Sequence, residues 1–184
     1  AQGGFMLVPF AVAGAGSSKS ASFEAVIVYI LIYGAMNLGM FACVIAAMRR
    51  TQSDEISSFG GMSKYSPILA VMTSAFLFSL AGIPPLAGWF AKFVMFRSVL
   101  DAGTTPAVIL GVIAALNSVI AFFYYAGVAR AIWFRETPEG IDLRPLKTPF
   151  ALNAAIAITG SFVLIVGIYP QVIARLGELA GAAL

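Results

Sequence analysis

Two adjacent prolines, Pro84 and Pro85, interrupt the longest apolar run of the chain. No other feature constrains the fold as much. A continuous helix from Pro67 to Leu100 would be ~51 Å long, whereas the hydrocarbon core of a bilayer is ~30 Å thick. Prolines lack N–H groups, so carbonyls about one turn earlier, near Leu80 and Ala81, lose their helical donors. In lipid such carbonyls are costly, and broken helices persist only where neighbouring protein or internal water satisfies the freed groups. Gly82 and Gly88 flank the prolines, and the spacing predicts a helix over 67–100 broken at 82–88. Lys92 follows the break with no acid nearby. Helical side chains lean toward the N-terminus, so its amine is expected to point back past Gly88, which has no side chain to block it. Two readings are open. Lys92 snorkels to an interface, or it is a functional group, the default for an ionisable residue inside a membrane. Arg97, further along, fits the interfacial position better.

Composition fixes the solvent. Hydrophobic residues make up 60% and charged residues 10% of the sequence, which is the balance of a membrane protein. The fold class expected is all-α, a polytopic transmembrane helix bundle with one broken helix. The net charge of +3 calls for no nucleic-acid partner, because the basic residues fall in short loops, as a membrane topology places them. The chain has no histidine and one cysteine, Cys43. A histidine-ligated metal or haem, an internal disulfide and a thiolate cluster are therefore excluded. Neither a dinucleotide fingerprint nor a phosphate loop is present. The expectation is no cofactor and no metal in this chain.

Ala1 to Ala13 is too short to span a bilayer. It reads as the latter half of a helix, and the chain as a fragment that opens without methionine. Further spans are expected over 23–48, 106–134 and 150–169. Within the first, Asn37 lies mid-span between Gly34 and Gly39; it is either packing glue across helices or a residue that holds water in a proton path. Asp54 and Glu55 are expected to meet Arg49, Arg50 or Lys64 at the surface, where such pairs contribute little. Arg97 and Asp101 have the spacing of a helical ion pair. Asn117 and Ser118 lie mid-membrane in the 106–134 span. Tyr124 and Tyr125 fall in an aromatic group near its basic end, which reads first as an interfacial belt. Pro138, Gly140, Pro145 and Pro149 mark the loop that follows. Gln171 to Leu184 reads as an amphipathic tail near the interface.

Leu80-Ala81-Gly82-Ile83-Pro84-Pro85-Leu86-Ala87-Gly88-Trp89-Phe90-Ala91-Lys92-Phe93 closely resembles the broken-helix signature of the antiporter-like subunits of respiratory complex I, NADH:quinone oxidoreductase. Within that family it looks most like the subunit N branch. The L branch usually carries an acid soon after the lysine, and the M branch a glutamate in its place. Gln2-Gly3-Gly4-Phe5-Met6-Leu7, Tyr33 to Phe41, Phe59-Gly60-Gly61-Met62 and Asn117 to Tyr125 are similar to family segments too. The resemblance implies that Lys92 is a proton relay in a chain across the membrane. It implies partner charges on helices upstream of Ala1, and other complex I membrane subunits as partners within the lipid bilayer. Quinone, flavin and iron–sulfur clusters are expected in other subunits. The rivals kept open are an Mrp-type cation/proton antiporter subunit, a membrane-bound hydrogenase relative and a structural scaffold that moves no ions.

Basic residues divide between the two faces. Arg49, Arg50, Lys64, Arg130, Arg135, Arg144 and Lys147 fall on one, and Lys19, Arg97 and Arg175 on the other. The positive-inside rule then places the first group in the cytoplasm of a bacterium and the C-terminus in the periplasm, with the chain in the inner membrane.

Overall fold

The computed structural model describes residues 2–14, 19–142, 144 and 148–181. Ala1, residues 15–18, Leu143, residues 145–147 (Pro145 and Lys147 among them) and the last three residues of the tail lie outside the described residues. The described chain is an all-α bundle without a strand. Its helices are α1 (Gln2–Ala11), α2 (Lys19–Thr51), α3 (Met62–Tyr65), α4 (Pro67–Ala81), α5 (Gly88–Ala102), α6 (Thr105–Phe134), α7 (Phe150–Ile168) and α8 (Gln171–Gly181). Three of them, α2, α6 and α7, are long and apolar enough to cross a membrane, and α4 is a shorter apolar helix.

α2 is the hub, in contact with α1, α4, α5, α7 and α8. Small residues make this geometry available: Ala25, Ala42, Ala46 and Ala47 are buried along it. At Gly39 a Cβ would strike the Phe76 ring of α4 and lie 2.6 Å from Thr159 Oγ1 of α7, so three helices converge where a side chain is missing. Gly34 faces open space, so only one of the two glycines beside Asn37 acts as a packing notch. α2 also runs past both ends expected for it, 23 and 48. Arg49 and Arg50 occupy its last turn, where cations favour the helix terminus, and the helix stops at Gln52, whose φ is +52°.

The segment between α2 and α4, expected as a plain polar loop, is folded. It holds a 3-10 turn over Ile56–Phe59 and α3. Asp54 and Glu55 form no ion pair with a described base. Arg50 instead bonds to the carbonyls of Asp142 and Arg144, the latter at 2.9 Å, and pairs with the Asp142 carboxylate at 3.3 Å. Gly60 and Gly61 fit against Glu136 O and Thr137, where any Cβ would collide. The two loops at this end of the bundle are laced together. At the other end Arg97 and Asp101 meet at 3.6 Å, both largely exposed. There α8 lies along α2 with Gly177 against Val28 and Glu24, its Ile173 buried and its Val172, Leu176 and Leu179 exposed.

Candidate functional site

α4 and α5 are halves of one interrupted helix. Pro67 opens α4 at its first position, where a missing N–H does no harm. The apolar run continues to Ala81, and Gly82 ends it at φ +93°. Gly82 N–H donates to Ser79 O at 2.9 Å and Ile83 N–H to Phe78 O at 3.0 Å, the Schellman arrangement in which a left-handed glycine closes a helix. The Pro84–Pro85 bond is cis, and α5 begins at Gly88.

The carbonyls that the prolines leave without helical donors have found side chains. Ala81 O accepts from Lys92 Nζ at 2.7 Å. Leu80 O accepts from Gln2 Nε2 at 2.9 Å. The lysine thus reaches back across the break and binds the last carbonyl of the other half-helix. It is 7% exposed, makes no ion pair with a described residue, and lies 5.1 Å from the centre of the Phe5 ring. A snorkelling lysine would extend toward water; this one bonds inside the bundle. Its path clears Gly82 rather than Gly88, since a Cβ on Gly82 would lie 2.8 Å from Lys92 Cδ. Gly88 serves another contact: a Cβ there would fall on Ser79 O, and its N–H donates to Ser79 Oγ at 3.1 Å. Ser79 Oγ donates in turn to Met36 Sδ of α2.

A second helix supports the break. Ala87 N–H donates to Val163 O of α7 at 3.0 Å, and Trp89 Nε1 donates to Gly167 O at 2.8 Å. Gly167 O stands at the end of α7, where carbonyls lack helical donors. A Cβ on Gly167 would collide with Pro85 O and come within 2.7 Å of Ala87 N. The backbone of the break rests directly on α7 because Gly167 leaves room.

Gln2 of α1 joins α2 and α6 to α4 at the same point. Tyr29 hydroxyl of α2 donates to Gln2 Oε1 at 2.7 Å. Gln2 Nε2 donates both to Leu80 O and, at 3.1 Å, to Tyr125 Oη of α6. Of the polar residues expected near the site, only Tyr125 joins this network. Its neighbour Tyr124 is exposed and packs edge-on against its ring. Asn117 is exposed and donates to Ile113 O of its own helix at 2.9 Å. Ser118 Oγ is buried without a hydrogen-bond partner among the described residues. Asn37 is half-buried, and its side chain makes no hydrogen bond to a described residue. Gln2, Tyr29, Ser79 and Gly167 carry contacts that reading the residues did not assign to the site. A lone amide in an apolar stretch, as at Gln2, was the one available signal.

Comparison with known proteins matches residues 1–118 to the family model described as NADH:quinone oxidoreductase/Mrp antiporter, TM. The chain is 35% identical over 95% of its length to the NADH-quinone oxidoreductase subunit N of Parvibaculum lavamentivorans, and covers 35% of that protein. It is 39% identical over 84% of its length to subunit N 1 of Rhizobium meliloti, covering 31% of it. It therefore spans about a third of the curated relatives it matches. Among solved structures, the Mrp complex of Dietzia sp. DQ12-45-1b aligns with a TM-score of 0.79 at 22% identity, over all of this chain and 40% of that one. Respiratory complex I of Thermus thermophilus with bound aureothin aligns with a TM-score of 0.65 at 22% identity, over 93% of this chain and 36% of that one. At that identity the two structures establish a shared fold.

Proposed function

The chain belongs to the NADH:quinone oxidoreductase/Mrp antiporter transmembrane family, and we propose that it is part of a proton-translocating membrane subunit of NADH:quinone oxidoreductase, with Lys92 as a proton relay. One observation carries the reading. A buried lysine with no carboxylate partner among the described residues donates to Ala81 O, a carbonyl freed by a helix break. A protonated amine has three donors and suits that carbonyl; the neutral amine is a poorer donor and releases it. Proton transfer and the state of the break are then coupled in one contact. Moving one charge against ~150–200 mV costs about 3.5–4.6 kcal/mol, so the relay requires an external driving force. On this reading quinone reduction elsewhere in the complex supplies it, this chain binds no redox cofactor, and its partners are other membrane subunits. The N-type assignment, rather than the Mrp type, rests on the curated relatives, which are subunit N proteins; the fold does not choose between them. Lys92→Met keeps apolar volume and removes the charge. In the assembled complex it is expected to leave quinone reduction measurable and to lower proton uptake by vesicles at least tenfold, read with a pH-sensitive dye. Full pumping by an assembled Lys92→Met complex would overturn the relay role. Lys92→Arg is expected to fail as well, because arginine does not deprotonate in proteins.

A further inference from the structure

Where α4 and α7 begin, they diverge and leave a cleft of about 660 Å³. The proposed relay uses none of its residues. Its lining is layered. Lys64, Tyr65 and Thr148 stand at the mouth, and Asn153 sits in the first turn of α7. Below them Ile68 and Met72 of α4 face Ile156 and Ala157 of α7. Ile68 is 80% exposed, so among the described residues the cleft opens sideways.

Lys64 and two helix starts make the mouth positive. Lys64 is exposed and forms no ion pair with a described residue. The N-termini of α4 and α7 both border the cleft. Neither has a side-chain cap or an acid in its first turn; although Pro67 has no N–H and Leu152 N–H already donates to Pro149 O at 3.1 Å, both starts offer an anion the positive end of the helix dipole. Tyr65 also lines the cleft; it is 2% exposed, and its hydroxyl, a neutral donor, has no hydrogen-bond partner among the described residues. Basic pockets between transmembrane helices near a membrane surface suit anionic head groups.

We propose that this cleft seats one anionic phospholipid, its phosphate at Lys64 and the two helix starts, and one acyl chain along Ile68, Met72 and Ala157. The layering argues for a lipid over other occupants. A soluble anion has no use for the apolar floor, and an apolar helix would bury the ammonium of Lys64 without a partner.

The test uses the full-length protein in its purified complex, depleted of lipid and titrated with phosphatidylglycerol or phosphatidylcholine of the same chains. Native mass spectrometry counts the lipids retained. Phosphatidylglycerol is expected to be retained at least fivefold better than phosphatidylcholine at one site per chain. Lys64→Gln is expected to lose that one lipid, while Lys19→Gln, at the opposite end, keeps it. Equal retention of the two lipids overturns the proposal, as does an unchanged count in Lys64→Gln. Displacement of the lipid by millimolar inorganic phosphate assigns the site to a soluble anion and overturns it too. A map of the complex in phosphatidylglycerol nanodiscs with a protein helix in the cleft also rejects it.

Discussion

Gly82 serves two purposes with one missing carbon. Its φ of +93° closes α4, and the space beside it admits the Lys92 stem. Gly82→Ala therefore forces a left-handed alanine, which costs about 1–2 kcal/mol, and pushes its Cβ into the lysine. The expected outcome is a lower melting temperature in detergent together with proton transfer impaired beyond what the loss of stability explains. Melting and vesicle pumping on the same preparation separate the two effects. From the residues alone, Lys92, the two prolines and both glycines stood out. The partner of Lys92 was also derivable in kind, since prolines remove specific donors. The roles of the glycines were not, because which one faces the lysine depends on the turn that the chain takes between them. Gln2 was hidden for a similar reason. A side chain that serves a carbonyl 78 residues away leaves no local periodicity.

At the scale of the element, a half-helix ends well only if its freed groups are met. α4 ends on a glycine cap, Gln2 and Lys92; α5 starts on Ser79 and on Val163 O of α7. Pro84→Ala combined with Pro85→Ala returns two N–H groups that compete with Gln2 and Lys92 for Leu80 O and Ala81 O. A straighter helix and slower proton transfer are expected, with assembly little changed; a high-resolution map and single-turnover proton release check the two parts. Gly167→Ala tests the other support. Its Cβ collides with the break backbone, and overpacking of this kind costs about 1–3 kcal/mol. Faster hydrogen exchange at Ala87 and Trp89 is expected, because their donors to α7 are pulled away. Span ends were less legible than span cores: α2 continues through Arg49 and Arg50, since charged residues end a hydropathy pattern without ending a helix.

For the whole molecule, the distribution of charge predicts a sidedness. Ser57 lies on the face of Arg50 and Lys64, and Glu178 on the face of Arg97. In intact cells, an impermeant thiol reagent is expected to label Glu178→Cys and to spare Ser57→Cys; inverted vesicles should reverse the pattern. The native Cys43 is buried and gives little background. Labelling of both from one side would contradict the topology. The bundle class was readable because composition and run length depend on the solvent alone. The lacing of loops through Arg50 was not, because its partners lie 92 and 94 residues away.

The support that α7 gives the break has a thermodynamic corollary. If Lys92 is the proposed relay, its charge and the seating of α7 are two variables of one equilibrium, because Ala81 O, which it binds, and Ala87 N–H, which binds Val163 O of α7, bracket the same few residues of irregular backbone. Linkage is reciprocal: if sliding α7 changes the proton affinity of Lys92 by some factor, protonating Lys92 changes the sliding equilibrium by the same factor. On the proposed relay reading, a neighbour that pushes on α7 would act on a proton without touching it, and a proton arriving at Lys92 would push back with equal free energy.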